Sequence, residues 1–129
     1  MSRPVDPTDA QLKAVVNHPS DGPVVMLNLN KYVDRDAYLQ EYGVVALAAV
    51  ESVGGRILSQ TEVEQVVIGD DNDQYDEVIA VWYPNRAAFL SLMDFPGYLE
   101  AAERRTQTLE HATLLATTPP PRGLAAGPG

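Results

Sequence analysis

The sequence predicts an α+β domain of the ferredoxin-like type, in which a four-stranded antiparallel sheet carries two helices on one face. Segments rich in β-branched residues alternate with segments whose apolar residues recur every three or four positions, in the order β-α-β-β-α-β. Two of the predicted strands are apolar on both faces. A second subunit is therefore predicted to cover the face without helices, so that two chains form a dimeric α/β barrel.

The composition fits one cytoplasmic domain. The chain has 129 residues, of which 45% are hydrophobic, enough for a single packed core. It contains no cysteine, so neither a disulfide nor thiolate chemistry is predicted. Its 18 acidic and 9 basic side chains give a net charge of −9, which is unsuited to binding nucleic acid. No signal peptide is expected, and the longest apolar run, Val44 to Val50, is too short to span a membrane.

Residues 1–22 are predicted to form a lead-in with one short helix. Thr8 and Gln11 stand three positions apart, which is the spacing of a capping box. The apolar, β-branched run at 23–30 predicts the first strand. The folded domain is expected to begin with this strand and to cover residues 23–117.

The strongest helix is predicted over residues 34–53. Its apolar stripe consists of Tyr38, Tyr42, Val45, Ala46, Ala49 and Val53. Gly54 and Gly55 end the helix, because glycine tolerates the left-handed backbone that follows many helix C-termini.

The second half of the chain predicts a hairpin, two helical pieces and a last strand. These are a strand over 56–69 with a bulge near Gln60 and Thr61, a polar loop at 70–74, a strand over 75–83, helices over 86–93 and 98–109, and a strand over 111–117. Residues 118–129 are rich in proline and glycine and are predicted to be a disordered tail.

No metal, haem or other cofactor is predicted. The chain lacks the nucleophile elbow, the phosphate-binding loop and the zinc-protease motif. Its acidic run resembles a calcium loop only superficially, since starting the EF-hand pattern at Asp71 puts Asp76 at the glycine position and Trp82 at the glutamate position. His111 could be a lone axial haem ligand, but a structural role at the strand end is the preferred interpretation.

Asn28, Asn30 and Trp82 are the main candidates for a ligand site. By alternation, the two asparagines share one face of the first strand with Val24 and Met26, and Trp82 is predicted to lie on the same, barrel-lining face. A buried amide without a partner costs about 1–3 kcal/mol. These amides are therefore expected either to bond to a loop at the strand end or to orient a ligand inside the barrel.

Tyr42 and Arg105 are candidates for the rim of the same pocket. The Tyr42 hydroxyl could reach the pocket mouth, although its stripe favours a place in the core. Arg105 could pair with Glu110 or Asp76, or hold an anionic substrate. The resulting hypothesis is a homodimer that binds or transforms a small hydrophobic metabolite in the barrel. The alternative is a noncatalytic structural or ligand-binding dimer, which the lack of a strong acid/base pair favours.

A set of short motifs supports the same fold independently. They are Pro23–Lys31, Gly54–Arg56, Tyr75–Val78, Trp82–Phe89 and Arg105–Glu110. In these motifs the chain, over about residues 23–117, resembles the bacterial family called domain of unknown function 1330. The resemblance implies a dimeric α/β barrel and no established reaction. Asn30 stands where members tend to carry leucine, and Trp82 where they often carry a charged residue, so a ligand preference does not carry over.

Overall fold

A computed structural model describes residues 4–119 of the chain. The elements are α1 (Asp9–Val16), β1 (Val24–Tyr32), α2 (successive stretches Arg35–Ala37, Tyr38–Gly43 and Val44–Ser52), β2 (Arg56–Glu62), a 3₁₀ turn (Asp71–Asp73), β3 (Glu77–Tyr83), α3 (Arg86–Leu90, extended by a 3₁₀ turn, Ser91–Asp94), α4 (Tyr98–Thr108) and β4 (Leu109–Thr117). The tail predicted for residues 118–129 lies almost entirely outside the described residues.

The four strands form one antiparallel sheet in the order β2-β3-β1-β4. The first and last strands of the domain therefore lie side by side, and the β2–β3 hairpin adds to the other edge of β1. This is the ferredoxin-like arrangement, and it confirms the predicted fold class. Within residues 4–119, no helix has the length and apolar character needed to cross a membrane.

Local capping signals start the first three helices where the sequence predicts. Thr8 and Gln11 form the expected capping box before α1, with reciprocal bonds of 3.1 and 2.8 Å. The Asp34 carboxylate accepts from the Ala37 backbone N–H at 3.0 Å at the start of α2. Asn85 plays the same part before α3, accepting from the Ala88 N–H at 2.8 Å.

Helix α2 contains a π-helical stretch over Tyr38–Gly43, between two α-helical stretches. The apolar spacing of the sequence predicts an ordinary α-helix here, so this stretch is a finding of the structure. One extra residue per turn widens the helix and changes the direction in which its side chains point. Such segments are rare and occur frequently at functional sites.

Strand β2 is shorter than predicted, and its bulge is in a different place. It ends at Glu62 instead of residue 69, and the register shifts between Ile57 and Ser59 instead of near Gln60. The physical reason is the length of the neighbouring strand. Because β3 begins only at Glu77, which faces Glu62, residues after Glu62 have no strand opposite them.

The two faces of the sheet have different surroundings. On one face, alternate residues of β1 and β3 pack against α2 and α3 and form the core with Leu109 of β4; its buried members are Val24, Met26, Tyr38, Ala49, Val50, Ile79, Val81, Tyr83, Leu92 and Leu109. The other face, which we call the open face, is also apolar. Its central residues are Val25, Leu27, Leu29, Val78, Ala80, Trp82 and Leu115.

Candidate ligand-binding site

A cavity of about 470 Å³ lies between the helices and the core face of the sheet. Most of its wall is apolar, with contributions from β1, β2, β3, β4 and all four helices. Four of the six residues in the π-helical stretch line it: Tyr38, Leu39, Tyr42 and Gly43. A cavity of this size and character is typical of sites that enclose a small organic molecule.

Few polar groups reach the cavity wall, and they lie at defined places. Asn28 and Gln60 project from the sheet, on β1 and β2, and the amide nitrogen of each is already engaged. Asn28 Nδ2 donates to the Ile79 carbonyl at 3.3 Å, and Gln60 Nε2 donates to the Glu77 carboxylate at 3.3 Å. The carbonyl oxygens of these two amides are left as hydrogen-bond acceptors for a ligand.

A pair of tyrosines supplies a donor on the helix side. The hydroxyls of Tyr42 in α2 and Tyr98 in α4 lie 2.9 Å apart, and both side chains line the cavity. One of the two hydroxyl protons is used between them, so the other is free to donate. Burial raises the pKa of Tyr42 well above its ordinary value, so the hydroxyl is neutral at physiological pH.

The cavity wall lacks a strong acid/base pair among the described residues. The one carboxylate that the described part of the chain places on the wall is that of Asp6, which is paired with Arg105 at 3.3 Å. Burial also raises the pKa of Tyr38 and of Tyr83. The tyrosines therefore act as neutral hydrogen-bonding groups, and the arrangement is suited to binding a neutral, partly polar molecule.

A buried polar network stands behind one end of the cavity. The carboxylate of Glu77, whose residue is only 1% exposed, accepts from the Tyr32 hydroxyl at 2.5 Å and from Arg35 Nη2 at 2.8 Å. Asn30 Nδ2 lies 3.3 Å from the hydroxyls of both Tyr32 and Tyr38. The network therefore connects an ion pair to Tyr38 on the cavity wall.

The electrostatics of this network favour an ionised Glu77. Burial by itself raises the pKa of Glu77, but hydrogen bonds from Tyr32, Arg35 and Gln60 outweigh burial, so the pKa lies below its ordinary value. Burial, followed by the bond to Glu77, raises the pKa of Tyr32. The result is a fixed negative charge that holds three donors in place.

The structure brings together three of the five candidates from the sequence. Asn28, Tyr42 and Arg105 all line the cavity. Asn30 is 1% exposed and lies one layer behind, bonded to Tyr38, which does line it. The asparagines thus share a face with Val24 and Met26 as predicted, but the helices cover that face.

The expectation that Trp82 shares this face is wrong. Trp82 pairs with Val25, whereas Asn28 pairs with Ile79, so the indole lies on the open face. There the guanidinium of Arg56 stacks over the Trp82 ring, 5.2 Å from its centroid. The pairing register, which strand alternation alone does not fix, decides this assignment.

Arg105 has a different partner from either of those suggested by the sequence. Instead of Glu110 or Asp76, it binds the lead-in, donating to the Val5 carbonyl at 2.7 Å and to Asp6 at 3.3 Å. Its guanidinium also lies over the Tyr42 ring, 5.9 Å from the centroid. Arg105 therefore fastens the lead-in to α4 beside the cavity, which Asp6 and Arg105 both line.

His111 is buried, and its Nε2 lies 3.0 Å from the Gln74 carbonyl oxygen. The ring also meets Tyr75 edge-on, with centroids 5.1 Å apart. Within residues 4–119, no group of three or more histidine, aspartate or glutamate side chains is arranged to hold a metal ion. Contacts of this kind suit a structural side chain at the end of the sheet.

Comparison with known proteins gives a family and a fold. The model of a family described as a domain of unknown function (DUF1330) matches residues 25–118. The structure of RPA0582, a protein of unknown function from Rhodopseudomonas palustris, is 26% identical, with a TM-score of 0.85, covering 93% of this chain and 99% of that one. The methylated form of RPA0582 gives 27% identity and a TM-score of 0.86, covering 95% and 99%.

A more distant structural neighbour shares the fold alone. SnoaB, a cofactor-independent oxygenase from Streptomyces nogalater, is 14% identical, with a TM-score of 0.54, and the match covers 78% of this chain and 95% of SnoaB. No curated protein matches this chain.

Proposed function

This chain belongs to the DUF1330 family, and we propose that it is a homodimer in which each subunit binds a small, mainly apolar molecule that carries a hydroxyl group. The proposed site is the cavity between the helices and the sheet. The sequence predicts a site inside the barrel, whereas the cavity lies on the opposite, helix-covered face of the same sheet. The cavity itself carries the proposal, since about 470 Å³ of mainly apolar space lies between the helices and the sheet.

The polar groups of the wall support the choice of a hydroxyl-bearing ligand. A hydroxyl group donates one hydrogen bond and can accept others. The Tyr42–Tyr98 pair offers a donor, and the side-chain oxygens of Asn28 and Gln60 offer acceptors. A strongly charged ligand is disfavoured, because Arg105, the one cation that residues 4–119 place on the wall, is already paired with Asp6.

The dimer is supported by the open face of the sheet. Leu27 and Trp82 there are only half-buried, and Leu115 is 47% exposed. Large apolar patches on a soluble protein generally mark contact surfaces. Packing two open faces together would form the barrel interior and leave one helix–sheet cavity in each subunit.

Filling the cavity is expected to weaken binding of p-cresol, a small aromatic probe with one hydroxyl group. Ala46 lines the cavity, whereas Ala48, on the same helix, is exposed and does not. Ala46→Phe should weaken p-cresol binding at least about tenfold, since the larger ring occupies the ligand's space. Ala48→Phe is the matched control and should bind as the wild type does.

Ligand-observed NMR titration measures this binding, with thermal melting to establish that both variants fold. Saturable binding lost only in Ala46→Phe supports the site. No saturable binding to the wild type, or equal binding by all three proteins, would show that the cavity is not a ligand site and would favour a noncatalytic structural dimer.

A further inference from the structure

Arg86 is a buried cation without a partner among residues 4–119. The residue is 9% exposed, and its Nη1 is buried and donates no hydrogen bond to any described residue. The ion pairs within residues 4–119 involve Lys31, Arg35 and Arg105, and none involves Arg86. An unpaired buried charge is strongly unfavourable, so its presence indicates that the partner of Arg86 lies outside the described residues 4–119.

A second cavity, of about 350 Å³, lies beside this arginine. It is formed between the end of α1, the turn that follows it and the start of α3. Its lining residues are Val15, Val16, His18, Ser20, Asp21, Asn85, Arg86, Ala87 and Leu90. Only Leu90 is shared with the larger cavity, so the two are separate sites.

Neutral donors accompany the cation. His18 Nδ1 accepts from the Ser20 backbone N–H at 3.1 Å, which places the proton of the neutral ring on Nε2. Asn85 uses its side-chain oxygen to cap α3, which leaves its NH₂ group to donate. Val15 and Val16 supply part of the apolar lining of the same cavity.

We propose that this cavity binds a small organic carboxylate with a short apolar chain, and that Arg86 is its charge partner. A guanidinium matches the two oxygens of a carboxylate in a bidentate pair. Asp21 also lines the cavity and makes no ion pair with Arg86. Its charge favours a singly charged carboxylate over a phosphate group, because repulsion grows with ligand charge.

The test uses butyrate as the probe and thermal melting as the readout, with sodium chloride at equal ionic strength as the reference. Butyrate is expected to raise the melting temperature of the wild type saturably, at millimolar concentrations. Arg86→Met should remove this rise. Arg104→Met is the control, since Arg104 is exposed and lines neither cavity, and it should respond as the wild type does.

Further measurements distinguish a carboxylate site at Arg86 from an ion pair between Arg86 and Asp21. Without butyrate, Arg86→Met should be at least as stable as the wild type, because it removes an unpaired buried charge. Asp21→Asn should strengthen the butyrate response. The proposal fails if Asp21→Asn lowers the melting temperature, since Asp21 would then be the partner of Arg86. It also fails if butyrate acts equally on Arg86→Met, has no effect on the wild type, or is surpassed by inorganic phosphate.

Discussion

Replacing Glu77 with glutamine is expected to lower the free energy of unfolding by about 2 kcal/mol, because hydrogen bonds to a charged group contribute about 1.5–3 kcal/mol and the Arg35 side chain of the ion pair is 40% exposed. The carboxylate is the common acceptor of Tyr32, Arg35 and Gln60. The glutamine NH₂ group would face donors where the carboxylate accepts, leaving buried polar groups unsatisfied. Glu62→Gln is the control, because Glu62 lies opposite Glu77 on β2 but is exposed, and it should change stability by less than about 0.5 kcal/mol.

The same variant has a defined pH dependence. The pKa of Glu77 is lowered below its ordinary value of 4.5. Its charge therefore stabilises the folded state fully above about pH 4.5, and this stabilisation is lost as the pH falls through the lower folded-state pKa. In urea unfolding at matched protein concentration, the difference in free energy of unfolding between wild type and Glu77→Gln should decrease from pH 6 to pH 3. If this difference does not change with pH, the charge of Glu77 contributes nothing to stability.

Leu27→Asp is expected to dissociate the proposed dimer. Leu27 lies in the middle of the open face, between Ala80 on β3 and Leu115 on β4. In a two-fold interface the substitution acts twice, so two carboxylates would be buried without partners. We expect the dissociation constant to rise at least about 100-fold, which corresponds to roughly 2.7 kcal/mol.

Sedimentation equilibrium of the wild type and the variant measures this constant. Val33→Asp is a matched control, since Val33 is 69% exposed and follows β1 outside the open face. It should leave the dimer intact. A wild type that is monomeric at tens of micromolar, or a Leu27→Asp protein as dimeric as the wild type, would contradict the proposed assembly.

Features set by neighbouring residues could be predicted from the sequence. The capping box at Thr8, the stop at Gly54 and the order of strands and helices depend on local chemistry, and the structure agrees with them. The sheet face on which Trp82 lies could not be predicted in this way. Alternation divides each strand into two faces, but only the pairing of β1 with β3, which are distant in sequence, decides which faces coincide.

The burial of the Glu77 carboxylate could not be predicted, for a different reason. Glu77 stands at the end of an acidic run, and because such runs are usually solvated, its charge does not predict a buried position. Its position carried a contrary signal, since it alternates in phase with Ile79, Val81 and Tyr83 on the core face. The position of Gln60 could not be predicted, because the register shifts within β2. The π-helical stretch could not be predicted, because an α-helix fits the same apolar spacing equally well.

A crystal structure of the wild-type protein soaked with p-cresol tests the central claim most directly. We predict electron density for the ring in the cavity beside Tyr42 and Met26. The probe hydroxyl should lie within hydrogen-bond distance of Asn28, Gln60 or the Tyr42–Tyr98 pair. A cavity closed by its own side chains, or density for the probe only on the open face of the sheet, would contradict the account.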